Sequence, residues 1–175
     1  MAVKPILTFG DPALLQVSQE VIEFATPELA QLIDDMRDTM QSVNGAGLAA
    51  PQIGVFQRIV IFSVQDNPRY PNVDLVPETV LINPKIEVLG ETVSGMWEGC
   101  LSVPGMRGYI ERPDYIRYTG FDIDGNKIDR TVQGFHATVV QHECDHLDGI
   151  LYPMRLQDIS KFGFESELVQ RSDYP

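Results

Sequence analysis

Gln141-His142-Glu143-Cys144-Asp145-His146 sets two histidines four positions apart, with a glutamate directly after the first. On an α-helix a spacing of four returns two side chains to one face, one turn apart. Two imidazoles so placed can hold one divalent metal. Glu143 then lies about 100° around the helix, beside the metal and not on it. Two nitrogen donors with a neighbouring carboxylate suit the activation of a water for hydrolysis. The plainer alternative is a surface helix that carries the same residues by chance.

Working outward, the helix is expected to begin near Gly134 and to stop before Gly149, a C′ glycine after Leu147-Asp148. Phe135, Thr138 and Val139 precede His142 by seven, four and three positions and share its face. They should border whatever binds there. His136 falls off that face and reads as a packing or solvated histidine. Cys144, two positions after His142, points about 200° away and reads as core.

Further upstream, Trp97-Glu98-Gly99-Cys100-Leu101-Ser102-Val103-Pro104-Gly105 surrounds a cysteine with glycine and proline, so a shaped, irregular backbone is expected. Cys100 reads either as a small buried hydrophobe or as a third metal donor, for which a thiolate is the strongest group on offer. Gly45-Ala46-Gly47-Leu48-Ala49-Ala50-Pro51-Gln52 leaves almost no side chain above the backbone until Gln52. Such a stretch is either a tightly packed loop or a backbone that a ligand approaches closely. It lacks the Lys-Ser/Thr ending of a phosphate loop.

Residues 1–25 read as an irregular surface wrap. Thr26-Pro27-Glu28 then gives an N-cap, a first-turn proline and an acidic first turn. Leu29, Leu32, Ile33, Met36, Met40 and Val43 follow at helical spacing, with Asp34, Asp35, Arg37 and Asp38 on the other side, closing near Asn44-Gly45. Residues 59–64 form a continuous apolar, β-branched run expected as a buried strand. Residues 65–77 read as a long loop, and 79–82 and 85–89 as two short strands broken by Asn83-Pro84. The stretches 115–121 and 127–132 flank an Asp-Gly pair and read as a hairpin.

With 43% hydrophobic and 22% charged residues over 175 positions, the composition is that of a single globular domain, residues 1–175. A net charge of −12 disfavours binding to phosphate backbones, and no nucleic-acid partner is expected. No apolar run approaches membrane-spanning length. The N-terminal stretch carries neither a secretory nor a transit pattern. The two cysteines are therefore expected as free thiols, and the location as cytoplasmic.

Residues 45–52, Glu98-Gly99-Cys100-Leu101-Ser102 and Gln141 to Leu147 resemble, in order and in spacing, the three signature segments of peptide deformylases. The resemblance implies an α+β fold, with antiparallel β-sheets around a central helix that carries the two histidines. It implies a bacterial hydrolase that removes the formyl group from the N-terminal methionine of newly made polypeptides. Cys100, His142 and His146 match the family's metal ligands, and Glu143 its catalytic acid and base. Gln52 and the Leu101 N–H match its oxyanion donors. Gly45, Gly47 and Leu48 would run along the peptide, and Phe135 and Val139 beside the methionine side chain. The implied cofactor is one divalent ion, iron(II) in the cell, with zinc, nickel or cobalt in preparations. Glu98 should support the site with Arg107 or Arg112 as its partner. The tail around residues 162–171 is short and mixed in charge, unlike the basic helix with which some members dock to the ribosome. Two rivals stand beside this reading: a zincin-like metalloprotease using Glu165 or Glu167 as third ligand, and a non-enzymatic zinc protein, for which no fourth ligand presents itself.

Overall fold

The computed structural model describes residues 2–65, 73–172 and 174. Thr26 has an extended backbone and its hydroxyl accepts from Leu29 N at 3.1 Å, which starts α1 (Pro27–Ser42). The helix ends where Asn44 takes a left-handed φ of 51°. Leu29, Ile33, Met36 and Met40 are buried as their spacing predicts, whereas Val43 is exposed. Asp35 departs from expectation, being buried on the face assigned to solvent. The N-terminal wrap covers it: Ala2 N donates at 2.8 Å and Lys4 Nζ lies 3.0 Å away. Hydrogen bonding from Lys4, with help from Gln31 and Ala2, holds its carboxyl down at about 2.

A short strand, β1 (Gly47–Ala49), follows, then a 3₁₀ turn Ala50–Ile53. The small-residue stretch is thus ordered and buried. It pairs antiparallel with β2 (Ile59–Val64). The unbroken apolar run of β2 has a plain cause. Val60, Phe62 and Val64 pack into one core cluster and Ile59 and Ile61 into another, so both faces are covered. Within the expected loop at 65–77, residues 66–72 lie outside the described ones, and β3 (Val76–Val88) already begins at Val76.

The two short strands expected at 79–82 and 85–89 are one strand with an irregularity between Ile82 and Lys85. Asn83 sits there with φ 51°, and its amide exchanges two 2.9 Å hydrogen bonds with the Val21 backbone. The bulge therefore serves to tie down the wrap without ending the strand.

The stretch expected to be irregular is a hairpin. β4 (Val93–Cys100) turns at Leu101-Ser102 into β5 (Val103–Pro113), with Cys100 opposite Val103. The Asp-Gly hairpin forms as read, joining β6 (Tyr115–Phe121) to β7 (Lys127–Gln133). Then comes α2 (Gly134–Leu147), ending before Gly149 with its φ of 71°. Eleven of its fourteen residues are buried, as befits a helix enclosed on nearly every side. A short strand, β8 (Phe162–Phe164), and a single turn, α3 (Glu165–Leu168), complete the chain, neither expected from the sequence.

The sheets run β1-β2-β3-β6-β7 and β4-β5-β8, all antiparallel. α1 packs on one face of the larger sheet and α2 on the other. The smaller sheet closes over a third cluster that includes Cys100, Ile110 and Tyr152. β1 and β4 are edge strands of their sheets, and both edges border α2's histidine face.

Candidate metal centre and active site

The last residue of β4 is Cys100, and it is buried against the C-terminal half of α2. One donor atom each from Cys100, His142 and His146 lie within 4.8 Å of one another. Cys100 Sγ is 3.3 Å from His146 Nε2. Burial alone would push the thiol up, but the charges and hydrogen bonds of His146 and His142 hold it well below its ordinary value. That shift favours the thiolate form, a strong donor for a divalent transition metal beside two imidazoles. Cys144 packs instead into the core between α2 and the larger sheet, where burial pushes its thiol up.

A chain of charges fixes His142. Its Nδ1 donates to Glu98 Oε2 at 2.7 Å, and the ring also hydrogen-bonds Cys100, which leaves Nε2 as the nitrogen available to a metal. Glu98 accepts from Arg112 Nε at 2.6 Å and Nη2 at 3.0 Å, a forked pair. Arg112 Nη1 reaches Asp145 Oδ2 at 2.8 Å, and Asp145 also accepts from Arg155 Nε at 3.0 Å. Burial opposes ionisation of Glu98, yet the hydrogen bonds from His142 and Arg112 win and hold it at about 2. The sequence left Arg107 and Arg112 as equal partners for Glu98. Arg112 takes that place, and Arg107 Nε donates to Glu165 Oε1 at 3.1 Å. Tyr152, from the 3₁₀ turn Tyr152–Arg155, stacks its ring on His142 with centroids 6.1 Å apart.

Glu143 stands outside the donor cluster, buried, with Oε2 lacking a hydrogen-bond partner among the described residues. Burial is the main cause that pushes its carboxyl up to about 7. β1 presses directly on it: a Cβ added to Gly47 would fall 2.7 Å from Glu143 Cγ and closer still to Oε1. Gly47→Ala should therefore displace the carboxylate. We expect at least ~10²-fold loss of kcat, the scale of one acid–base group, with metal content unchanged by mass spectrometry.

Gln52 is pinned from both sides. Its Oε1 accepts from Ala49 N at 2.9 Å, while Nε2 donates to Ser102 Oγ at 3.1 Å and lies 3.5 Å from Cys100 Sγ. Ser102 is wholly buried and was not singled out in the sequence, although it lies inside the Cys100 segment.

Gly47, Gln52 and Leu101 line one cleft together with Cys100, His142 and Glu143. Phe135 and Val139 border it from α2, and Met96 and Trp97 from β4. Gly45 lies against Leu101, and Leu48 turns its side chain into the core under α1. Glu165 and Glu167 are outside the donor cluster.

The sequence model of the family described as polypeptide deformylase matches residues 3–162. The chain belongs to the polypeptide deformylase family. Peptide deformylase 1 of Nitrosomonas europaea is 59% identical over 166 residues, covering 95% of this chain and 94% of that protein. Peptide deformylase 2 of Ralstonia nicotianae is also 59% identical, over 93% of this chain and 92% of that one. A class I type b peptide deformylase from Acinetobacter baumannii, solved with Met-Ala-Ser bound, superposes with a TM-score of 0.86 at 37% identity, covering 89% of this chain and 99% of that one. This deformylase is thus a hydrolase of protein biosynthesis that removes the N-formyl group from nascent polypeptides. No helix among its described residues is long and apolar enough to cross a membrane.

Proposed function

We propose that Cys100, His142 and His146 hold one divalent ion, iron(II) in the cell, and that Glu143 carries the proton during hydrolysis of the formyl amide. The observation that supports this reading is three buried donors within 4.8 Å of one another beside a buried carboxylate whose Oε2 has no hydrogen-bond partner among the described residues. A divalent ion held there supplies Lewis-acid chemistry, acidifying a water and polarising the formyl carbonyl. Glu143 takes the proton released and returns it to the leaving nitrogen. A carboxyl with a value near 7 suits both transfers at neutral pH. Glu98 keeps His142 oriented and neutralises Arg112. Gln52 Nε2 and the Leu101 N–H are the proposed donors to the developing oxyanion.

The substrate course follows from the sheet order. β1 and β4 leave their free edges at the cleft, so an extended peptide can enter as an added strand. The methionine side chain then meets Phe135 and Val139, and Gly47 lets the backbone pass close. The Met-Ala-Ser held by the Acinetobacter baumannii relative supports a peptide of this length in the cleft.

A role for Gln52 in the transition state gives a specific expectation. Gln52→Leu keeps the bulk and removes the amide, and kcat should fall more than ~10-fold with KM little changed. A change confined to KM would make Gln52 a positioning group.

The protease alternative needs Glu165 or Glu167 as third donor, but Glu165 is engaged by Arg107 and the tail packs on β5, away from the donor cluster. The same tail, mixed in charge and packed on β5, argues against ribosome docking through it. Two free thiols and substrates fresh from synthesis fit a cytoplasmic enzyme. The decisive experiment is metal analysis of anaerobically purified protein beside an assay of formyl-methionyl peptide. One iron per chain that tracks activity is expected; full activity without a bound ion would end the reading.

A further inference from the structure

The family-matched region ends at Phe162, yet the residues beyond it are built into the back of the cleft. β8 pairs with β5 through Arg107 opposite Gly163. Glu165 Oε1 then accepts from Arg107 Nε at 3.1 Å and from the Tyr174 hydroxyl at 3.2 Å. Tyr174 sets its ring edgewise against Trp97, centroids 5.0 Å apart, and Tyr109 does so at 5.7 Å.

Alternation along β4 puts residues 95, 97 and 99 on one face and Met96, Glu98 and Cys100 on the other. Side chains lie across the first face at each of these positions. Tyr109 lies across Gly95, the two tyrosine rings hold Trp97, and Arg107 lies across Gly99, where an added Cβ would be 2.8 Å from Nη1. Among the described residues β4 is paired in its sheet with β5 alone, and β4 lines the cleft from Met96 to Cys100. A strand supported on one edge must be stiffened from behind if it is to receive a peptide without first paying an ordering cost.

We propose that Tyr174 and Glu165 form a clamp that holds β4 ready for the peptide residues following the formyl-methionine, so that this tail sets the preference for longer substrates. The proposal rests on the peptide entering along β4. Tyr174 acts through Trp97 and is a positioning residue with no contact to the reacting atoms.

The test compares metal-loaded parent, Tyr174→Ala and Tyr174→Phe on formyl-methionine and on formyl-Met-Ala-Ser. Trp97 is the one tryptophan in the sequence, so its fluorescence reports the clamp directly. Tyr174→Ala should red-shift the emission and raise KM for the tripeptide about 10-fold, leaving kcat and the formyl-methionine reaction within about 2-fold. Tyr174→Phe keeps the ring and should recover most of the tripeptide KM. If the emission shifts while the tripeptide KM holds, the clamp has no part in binding and the proposal fails. Equal losses on both substrates would mark Tyr174 as a merely structural residue, which also overturns it. A parent enzyme that does not distinguish the tripeptide from formyl-methionine would overturn the β4 path itself, and the clamp with it.

Discussion

Glu143→Ala should retain one metal per chain and lose at least ~10³-fold in kcat, the range of a positioned acid–base group. The carboxylate lies outside the cluster formed by Cys100, His142 and His146, so its removal leaves every donor in place. What disappears is the group proposed to accept and return the proton. The same burial that tunes Glu143 also costs stability. Its folded value of about 7 exceeds the ordinary 4.5, so the metal-free fold is favoured by this group below about pH 4.5 and loses that advantage as pH rises through 7. Metal-free Glu143→Ala should therefore melt higher than the metal-free parent at pH 8, with the difference shrinking towards pH 4.5. Metal content and kcat measured on one sample decide the catalytic part. Loss of metal together with the carboxylate would make Glu143 a ligand and contradict the assigned role.

Cys100→Ala is expected to abolish tight metal binding and activity together. Among the described residues the Cys100 sulfur is the only member of the cluster from the smaller sheet, and without it two imidazoles one turn apart remain. Glu165→Ala and Glu167→Ala, singly or combined, should keep the full metal content and deformylate formyl-methionine normally, since neither carboxylate reaches the cluster. Mass spectrometry after dialysis reads the metal. A double glutamate variant that loses its metal, with Cys100→Ala retaining it, would reverse the ligand assignment.

The parts of the molecule that follow local rules were legible in the chain. Thr26-Pro27 starts α1 because a cap and a fixed φ act within one turn, and Asp122 to Asn126 turns a hairpin for similar reasons. The histidine pair was readable because helical spacing alone brings it to one face. Parts that depend on distant partners were not. The β4–β5 hairpin was mistaken for irregular backbone because Glu98, Arg107 and Arg112 are buried there, and buried charges erase the apolar alternation that marks a strand. Choosing between Arg107 and Arg112 required the register, which sets Glu98 opposite Gly108 and lets Arg112 reach back along the sheet. Asp35 looked solvated because the wrap that buries it lies more than thirty residues away in sequence. Asn83-Pro84 looked like a break because nothing local reveals that Asn83 is held by Val21.

The linked charges running from His142 through Glu98, Arg112 and Asp145 to Arg155 bear on how the enzyme is itself made. Translation delivers Glu98 and Arg112 first, α2 next and Arg155 after it. Until Arg155 has emerged, Asp145 must be packed with half of its positive surroundings missing, a costly burial. The surroundings of His142 therefore settle only once Arg155 has emerged, well after the first helix and the larger sheet have been produced. An enzyme that works on growing chains thus waits, in its own synthesis, for a residue nine positions past its second site histidine.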